Sequence, residues 1–131
     1  MLGAELRHLA STPITEVETT LIIHPQMLQD FIEYNDFLGL ADELLAELEL
    51  DEVIQIASFH PRYQFRGTDP DDITNFTNRS PYPTLHLLRE ESVTRAVDSS
   101  VDVDAIPEKN IETLNRLGLQ GWRDLKIPGD T

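Results

Sequence analysis

The chain has 131 residues, of which 40% are apolar and 26% are charged, so it is long enough for one folded domain and too short for two. Its net charge of −14 makes nucleic acids and anionic membrane surfaces unfavourable partners, because both are negatively charged themselves. The lack of cysteine excludes disulfides, thiolate nucleophiles and cysteine-ligated metals.

The first half of the chain predicts helix, strand, helix and strand in that order. Leucines in residues 1–10 recur at helical spacing, and residues 18–23 (ETTLII) are rich in β-branched side chains, which favour a strand. An amphipathic helix is predicted from Pro25 to residue 48, followed by a strand at 53–59 (VIQIASF). Because strand, helix and strand follow directly, we expect a right-handed crossover that makes the two strands parallel neighbours.

The second half predicts one further strand and mostly short helices. The predicted elements are a long connection at 61–83 with a helical turn at 70–76 capped by Asp69, an antiparallel strand at 84–88, a helix at 91–97, a turn at 101–104, and a helix at 107–117 with Gly118 as its C-cap. The whole chain therefore predicts a single two-layer α+β domain, with a small mixed sheet and helices mainly on one face.

Residues that could carry chemistry are concentrated in the segment Ile54–Glu90. The first 53 residues have a net charge of −11, whereas the remainder has only −3. The segment contains two histidines, four arginines and five of the nine aromatic side chains of the chain. We therefore expect a functional site, if one exists, to involve this segment.

Three histidines form one candidate site. His24 and His60 follow the first two predicted strands, and His86 lies in the third, so the predicted topology could bring all three to the carboxyl edge of the sheet. Three imidazoles with one open position are a catalytic zinc pattern, which would make the protein a metal-dependent hydrolase. The alternative is that His24 and His60, each preceding a proline, fix loop geometry, and that His86 is a hydrogen-bonded core residue.

A second candidate is a pocket for a small anion at the same edge. Arginine forks match carboxylate and phosphate oxygens, and nearby hydroxyl and amide groups add donors. The predicted members are Arg62, Tyr63, Arg66, Asn78, Arg79, Ser80, Tyr82 and Arg89, with His60 or His86 transferring protons if the pocket is catalytic. The alternative is that these arginines pair with nearby acids and hold the long connection in place.

Three segments, SFHPRYQF, NRSPYPTLHLLRE and IPEKNIETLNRLG, resemble the bacterial family catalogued as domain of unknown function 1415. The resemblance covers residues 18–122 and implies no agreed activity. Members of that family are similar also in an upstream portion that this chain lacks, with an Asn-Leu-Cys-Pro-Phe segment, a further strand and the body of the first helix. If the upstream cysteine acts together with the histidines in those relatives, the resemblance implies that this chain lacks one ligand or nucleophile. The missing strand also implies an uncovered sheet edge that favours homo-oligomers.

The combined interpretation is a cytoplasmic protein, since no apolar run approaches twenty residues and the start lacks a signal peptide pattern. We expect it to bind a small anionic molecule, either as a binding protein or as an enzyme, and zinc is the divalent metal that its histidines would suit as a cofactor. The competing hypothesis is a non-catalytic interaction module that uses its acidic long helix or the uncovered sheet edge.

Overall fold

The structure is a computed structural model that describes residues 2–98 and 106–126, so the turn predicted at 101–104 lies outside the described residues. The helices and strands are α1 (Leu2–Ser11), β1 (Thr20–Ile23), α2 (Phe31–Glu47), β2 (Ile54–Phe59), a 3₁₀ helix (Ile73–Asn78), β3 (Thr84–Arg89), α3 (Glu90–Asp98) and α4 (Ile106–Asp124). A small sheet with separate helices confirms the predicted α+β class.

The sheet has the order β1-β3-β2, and both pairings are antiparallel. The prediction that β1 and β2 are parallel neighbours is wrong, as is the mixed character of the sheet. The helix between β1 and β2 carries the chain past one strand position, and β3 fills that gap. Since β1 and β2 each run antiparallel to β3, they still point in the same direction. Their carboxyl ends therefore lie at the same end of the sheet.

The two faces of the sheet differ in their surroundings. On the inner face, Ile22, Leu85 and Leu87 are buried in a core cluster that also contains residues of α1 and α2. On the outer face, the side chains of Leu21 and Ile23 are 57% and 54% exposed. This difference confirms that helices cover mainly one face.

The long helix begins later than the sequence predicts. Leu28 has φ 60°, a left-handed conformation that interrupts any helix starting at Pro25. Asp30 instead caps α2, and its carboxylate accepts a hydrogen bond from the backbone N–H of Ile32 at 3.4 Å. Residues 24–30 therefore form an irregular connection along the edge where β1 ends.

The long connection between β2 and β3 is ordered around the fully buried side chain of Asn75. The Asn75 amide accepts hydrogen bonds from the backbone N–H of Phe65 and the hydroxyl of Thr68, and donates one to the carbonyl of Asp69. The 3₁₀ helix is capped by Asp72, so the predicted cap at Asp69 is wrong. A single buried amide thus joins three parts of a connection that has little regular structure.

α4 packs against the 3₁₀ helix through a perpendicular contact of Trp122 with Phe76, whose ring centroids are 4.9 Å apart. Gly118 has φ 70°, which ends the first part of α4 as predicted, and a second helical segment follows it directly. None of the helices in the described ranges is both long and apolar enough to span a membrane.

Candidate functional site

The three histidines do not meet. His24 and His60 follow the carboxyl ends of β1 and β2, and both rings lie on the inner side of the sheet, in contact with aromatic residues of α2. His86 is paired directly with Leu21 in the neighbouring strand, so its side chain points to the outer face. The predicted convergence at one edge is therefore wrong, because the sheet itself separates His86 from the other two rings.

The expected three-histidine metal site fails for the same reason. A zinc ion needs its nitrogen ligands at about 2 Å, a distance that groups on opposite faces of a sheet cannot share. Among the described residues, no three histidine, aspartate or glutamate side chains are grouped so that they could hold a metal ion. The metal-dependent hydrolase on His24, His60 and His86 is thus not supported by the geometry.

His60 is fully buried, and both of its ring nitrogens are hydrogen-bonded. Nδ1 accepts a bond from the backbone N–H of Arg62 at 2.9 Å, so the ring proton is on Nε2, which donates to the carbonyl of Leu28 at 2.9 Å. Burial lowers the pKa of His60, which keeps the ring neutral. The structure gives His60 a positioning role, and its predicted transfer of protons to a ligand stays untested.

Tyr34, which the sequence analysis did not single out, holds this edge together. Its hydroxyl donates to the carbonyl of Thr84 at 2.7 Å and accepts from the backbone N–H of Phe59 at 3.1 Å. The Tyr34 and His60 rings are 4.8 Å apart. Burial raises the pKa of Tyr34 to about 12, so the hydroxyl keeps its proton. The helical spacing of Phe31, Tyr34 and Leu38 was the available signal that Tyr34 faces the sheet.

His86 has a different environment on the outer face. The hydroxyl of Thr19 lies 2.7 Å from Nε2 of His86 and donates its own proton to the carbonyl of Leu87 at 2.7 Å. Nε2 of His86 is therefore the donor in the first of these bonds. Burial lowers the pKa of His86. This histidine does not line the cleft that holds Arg62 and Arg79, and its predicted catalytic role stays untested.

Two of the predicted arginines do lie together. Arg62 and Arg79 line one cleft between the start of α2, the long connection and the end of α4, where Arg123 joins them. We call this the arginine cleft; its volume is about 400 Å³, and its lining residues are Asp30, Phe31, Ile32, Arg62, Gln64, Pro70, Asp71, Phe76, Arg79, Leu119 and Arg123. Arg123 was missed because nothing in its local sequence indicates that α4 packs on the long connection.

Arg79 is the most fixed of the three cations. Its Nε donates to the carbonyl of Tyr63 at 3.1 Å, and one terminal nitrogen donates to the carbonyl of Pro70 at 2.7 Å. The guanidinium carbon lies 4.3 Å from the centre of the Phe76 ring. Arg79 thus supports the wall of the cleft and also contributes its charge there.

The other predicted donors mostly support the backbone. Asn78 donates to the carbonyl of Ser58, and Ser80 to the carbonyl of Tyr82. Tyr63 packs against Phe31 with ring centroids 5.3 Å apart. Tyr82 is 48% exposed and lines a separate depression that shares only Arg62 with the arginine cleft.

Two further predicted arginines lie elsewhere. Arg66 is exposed and is not part of the cleft lining. Arg89 ends β3 at the opposite end of the sheet, where it is buried and donates to the carbonyls of Thr12, Val17 and Glu18. Arg89 therefore holds the connection between α1 and β1, and its predicted place in the anion pocket is wrong.

The comparisons with known proteins agree with the resemblance of the three sequence segments. No curated protein matches the chain, and no solved structure matches it. One family model does match, over residues 1–124, and it is described as a protein of unknown function, DUF1415. Because the match covers nearly the whole chain, this protein belongs to the DUF1415 family.

Proposed function

We propose that the protein binds a small anion, a carboxylate or a phosphate, in the arginine cleft. The observation that carries the proposal is that Arg62 and Arg79 of the long connection and Arg123 of α4 line the same cleft. The chain has only ten lysines and arginines against 24 acidic residues. A cleft with three guanidinium groups and only two carboxylates is therefore a local exception to the negative charge of the molecule.

The start of α2 adds to the positive potential. Phe31 and Ile32, the first two residues of this 17-residue helix, are part of the cleft lining. The positive end of a helix dipole favours anions, and backbone N–H groups of the first turn point out of the helix. The cap of Asp30 uses only one of these groups, the N–H of Ile32.

Two carboxylates narrow the class of ligand. Asp30 and Asp71 line the cleft beside the three arginines, so the formal charge of the lining is only slightly positive. A ligand with a single anionic group and a neighbouring hydrogen-bond donor would satisfy both kinds of side chain. A densely charged polyanion would be repelled by the two aspartates, which favours a small carboxylate or phosphate ester.

Calorimetric titration with inorganic phosphate and with acetate at low ionic strength tests the proposal. Arg123→Gln should weaken binding roughly fivefold to tenfold, since an exposed charge-assisted hydrogen bond contributes about 1 kcal/mol. Arg66→Gln is the matched control, because it removes the same charge from an exposed position outside the cleft. Equal loss in both variants would show a nonspecific charge effect, and no saturable binding would refute the proposal.

The outer face of the sheet favours a second candidate, self-association. β1 is an edge strand, and its outward residues Leu21 and Ile23 are both more than half exposed. A free edge beside exposed apolar side chains is a surface on which a second copy of the chain could add its own β1. This candidate needs no ligand, and it predicts a dimer in the absence of any anion.

A further inference from the structure

We propose that the protein has a second binding site, for a neutral and largely apolar molecule that carries one hydroxyl or carbonyl oxygen. The site is a groove on the inner side of the sheet, between α1, α2 and the strands β1 and β3. Its volume is about 390 Å³, and we call it the His24 groove. It shares no lining residue with the arginine cleft and does not depend on the anion proposal.

In the part of the chain that the structure describes, His24 has the only polar side chain in the lining of this groove. The other lining residues include Ile22, Phe37, Leu44 and Leu85, which come from β1, α2 and β3. A concave apolar surface with one polar group is the usual composition of a small-molecule site. The groove therefore suits a ligand that is apolar over most of its length.

His24 is held in place but is not satisfied. It is only 8% exposed, and its Nε2 atom is buried with no hydrogen-bond partner among the described residues. Its backbone N–H donates to the carbonyl of Pro83 at 2.9 Å, and its ring meets Phe37 edge to face at 6.4 Å. Most buried polar atoms in proteins have a partner, because a missing bond costs about 1 to 3 kcal/mol. Because Nε2 is itself buried, a ligand oxygen in the groove would reach it after a rotation of the His24 ring, and would then supply the missing partner.

The charge of the surroundings decides between a neutral and an anionic ligand. No lysine or arginine among the described residues lines the groove, and the chain as a whole is strongly negative. A carboxylate would lose its hydration there without gaining a cation, whereas a hydroxyl or a carbonyl needs only one hydrogen bond. An imidazole nitrogen can serve either group, as donor or as acceptor.

Titration with 1-octanol, followed by methyl NMR at pH 8, tests this site. We expect saturable shifts of the Leu44 and Leu85 methyl signals. His24→Phe keeps the ring and removes the unpartnered nitrogen, so it should fold normally and bind octanol about tenfold more weakly. His8→Phe, an exposed histidine of α1 outside the groove, should bind like the natural protein.

A second variant tests the groove itself. A Cβ at Gly3 would lie 3.8 Å from a methyl carbon of Leu44, an ordinary contact, and Gly3 lines the groove. Gly3→Leu should therefore fill the groove, favour the α1 helix and abolish octanol binding without loss of stability.

Four results would overturn the proposal. They are no saturable binding of octanol, unchanged affinity in the His24→Phe and Gly3→Leu variants, tighter binding of octanoate than of octanol, and concentration-dependent shifts of the Leu44 methyl without ligand. The last would show that a second copy of the chain fills the groove.

Discussion

The backbone N–H of Arg62 donates to Nδ1 of His60 at 2.9 Å, so a fully buried imidazole sets the direction of the chain just before an arginine that lines the cleft. The opposite nitrogen of the same ring holds the carbonyl of Leu28, two residues before the cap of α2. His60 therefore links both sides of the arginine cleft without entering it. Its importance is in the geometry of the cleft.

Acidification should destabilise the protein through His60. Burial lowers the pKa of His60 in the folded state below its ordinary value of 6.5, whereas the unfolded chain accepts a proton near that value. The unfolded state then binds more protons, so the free energy of unfolding should be constant above pH 6.5 and fall below it. Urea unfolding between pH 7.5 and 5 measures this fall.

The control for this pH dependence is a variant without the ring. His60→Gln should be less stable at every pH but should lose less stability on acidification than the natural protein. His86, whose pKa burial also lowers, contributes in the same direction, so part of the fall should remain. An identical pH dependence in the variant and the natural protein would contradict the assignment to His60.

Tyr34→Phe should lower the free energy of unfolding by about 1 to 3 kcal/mol. The ring contacts with His60 and Phe31 stay, but the variant leaves the buried carbonyl of Thr84 and the N–H of Phe59 without their common partner. Chemical denaturation measures the loss, and Tyr82→Phe, at a half-exposed tyrosine, should change stability by far less. Equal stability of the two variants would show that the Tyr34 hydroxyl does not join the end of β2 to the start of β3.

Much of the fold could be predicted from local patterns, because strands and helices depend on neighbours in the sequence. All three described strands were located to within two residues. The order of the strands was predicted wrongly, since it depends on how segments that are far apart in the sequence pack together. The error over His86 was avoidable: in Leu85-His86-Leu87, the alternation of a strand places the histidine opposite the two buried leucines.

The arginine cleft, too, could be predicted only where its residues are close together in the sequence. Arg62 and Arg79 were predicted as site residues because they are close in a segment rich in arginine and aromatic residues. Arg123 reaches the cleft only because α4 packs on the 3₁₀ helix through the contact of Trp122 with Phe76. No local sequence pattern predicts this contact. The late start of α2 depends on the left-handed conformation of Leu28, which a leucine rarely adopts.

Two glycine variants should have opposite effects on stability. Gly118 has φ 70°, so Gly118→Ala should cost about 1 kcal/mol or more and disturb the second part of α4, which carries Arg123. Gly39 lies inside α2, and an added Cβ would have no neighbour within 4 Å. Gly39→Ala should therefore raise the free energy of unfolding by about 0.5 to 1 kcal/mol.

Thermal unfolding measures the stability of these two variants, and phosphate titration measures their anion binding separately. Gly118→Ala should also weaken anion binding, whereas Gly39→Ala should leave it unchanged. A Gly118→Ala protein that is as stable as the natural one would show that the positive φ is not needed for the packing of α4.

Self-association through β1 should be sensitive to charge on the outer face. Ile23→Lys replaces one of the two exposed apolar side chains of β1 with a cation. This charge beside the edge of the sheet should raise the dissociation constant of a dimer by tenfold or more. Light scattering over a range of protein concentrations measures this constant. Val97→Lys is the control, since Val97 is 53% exposed and belongs to α3 and not to the sheet. If the natural protein stays monomeric at every concentration, or if both variants dissociate equally, the β1 edge is not an interface.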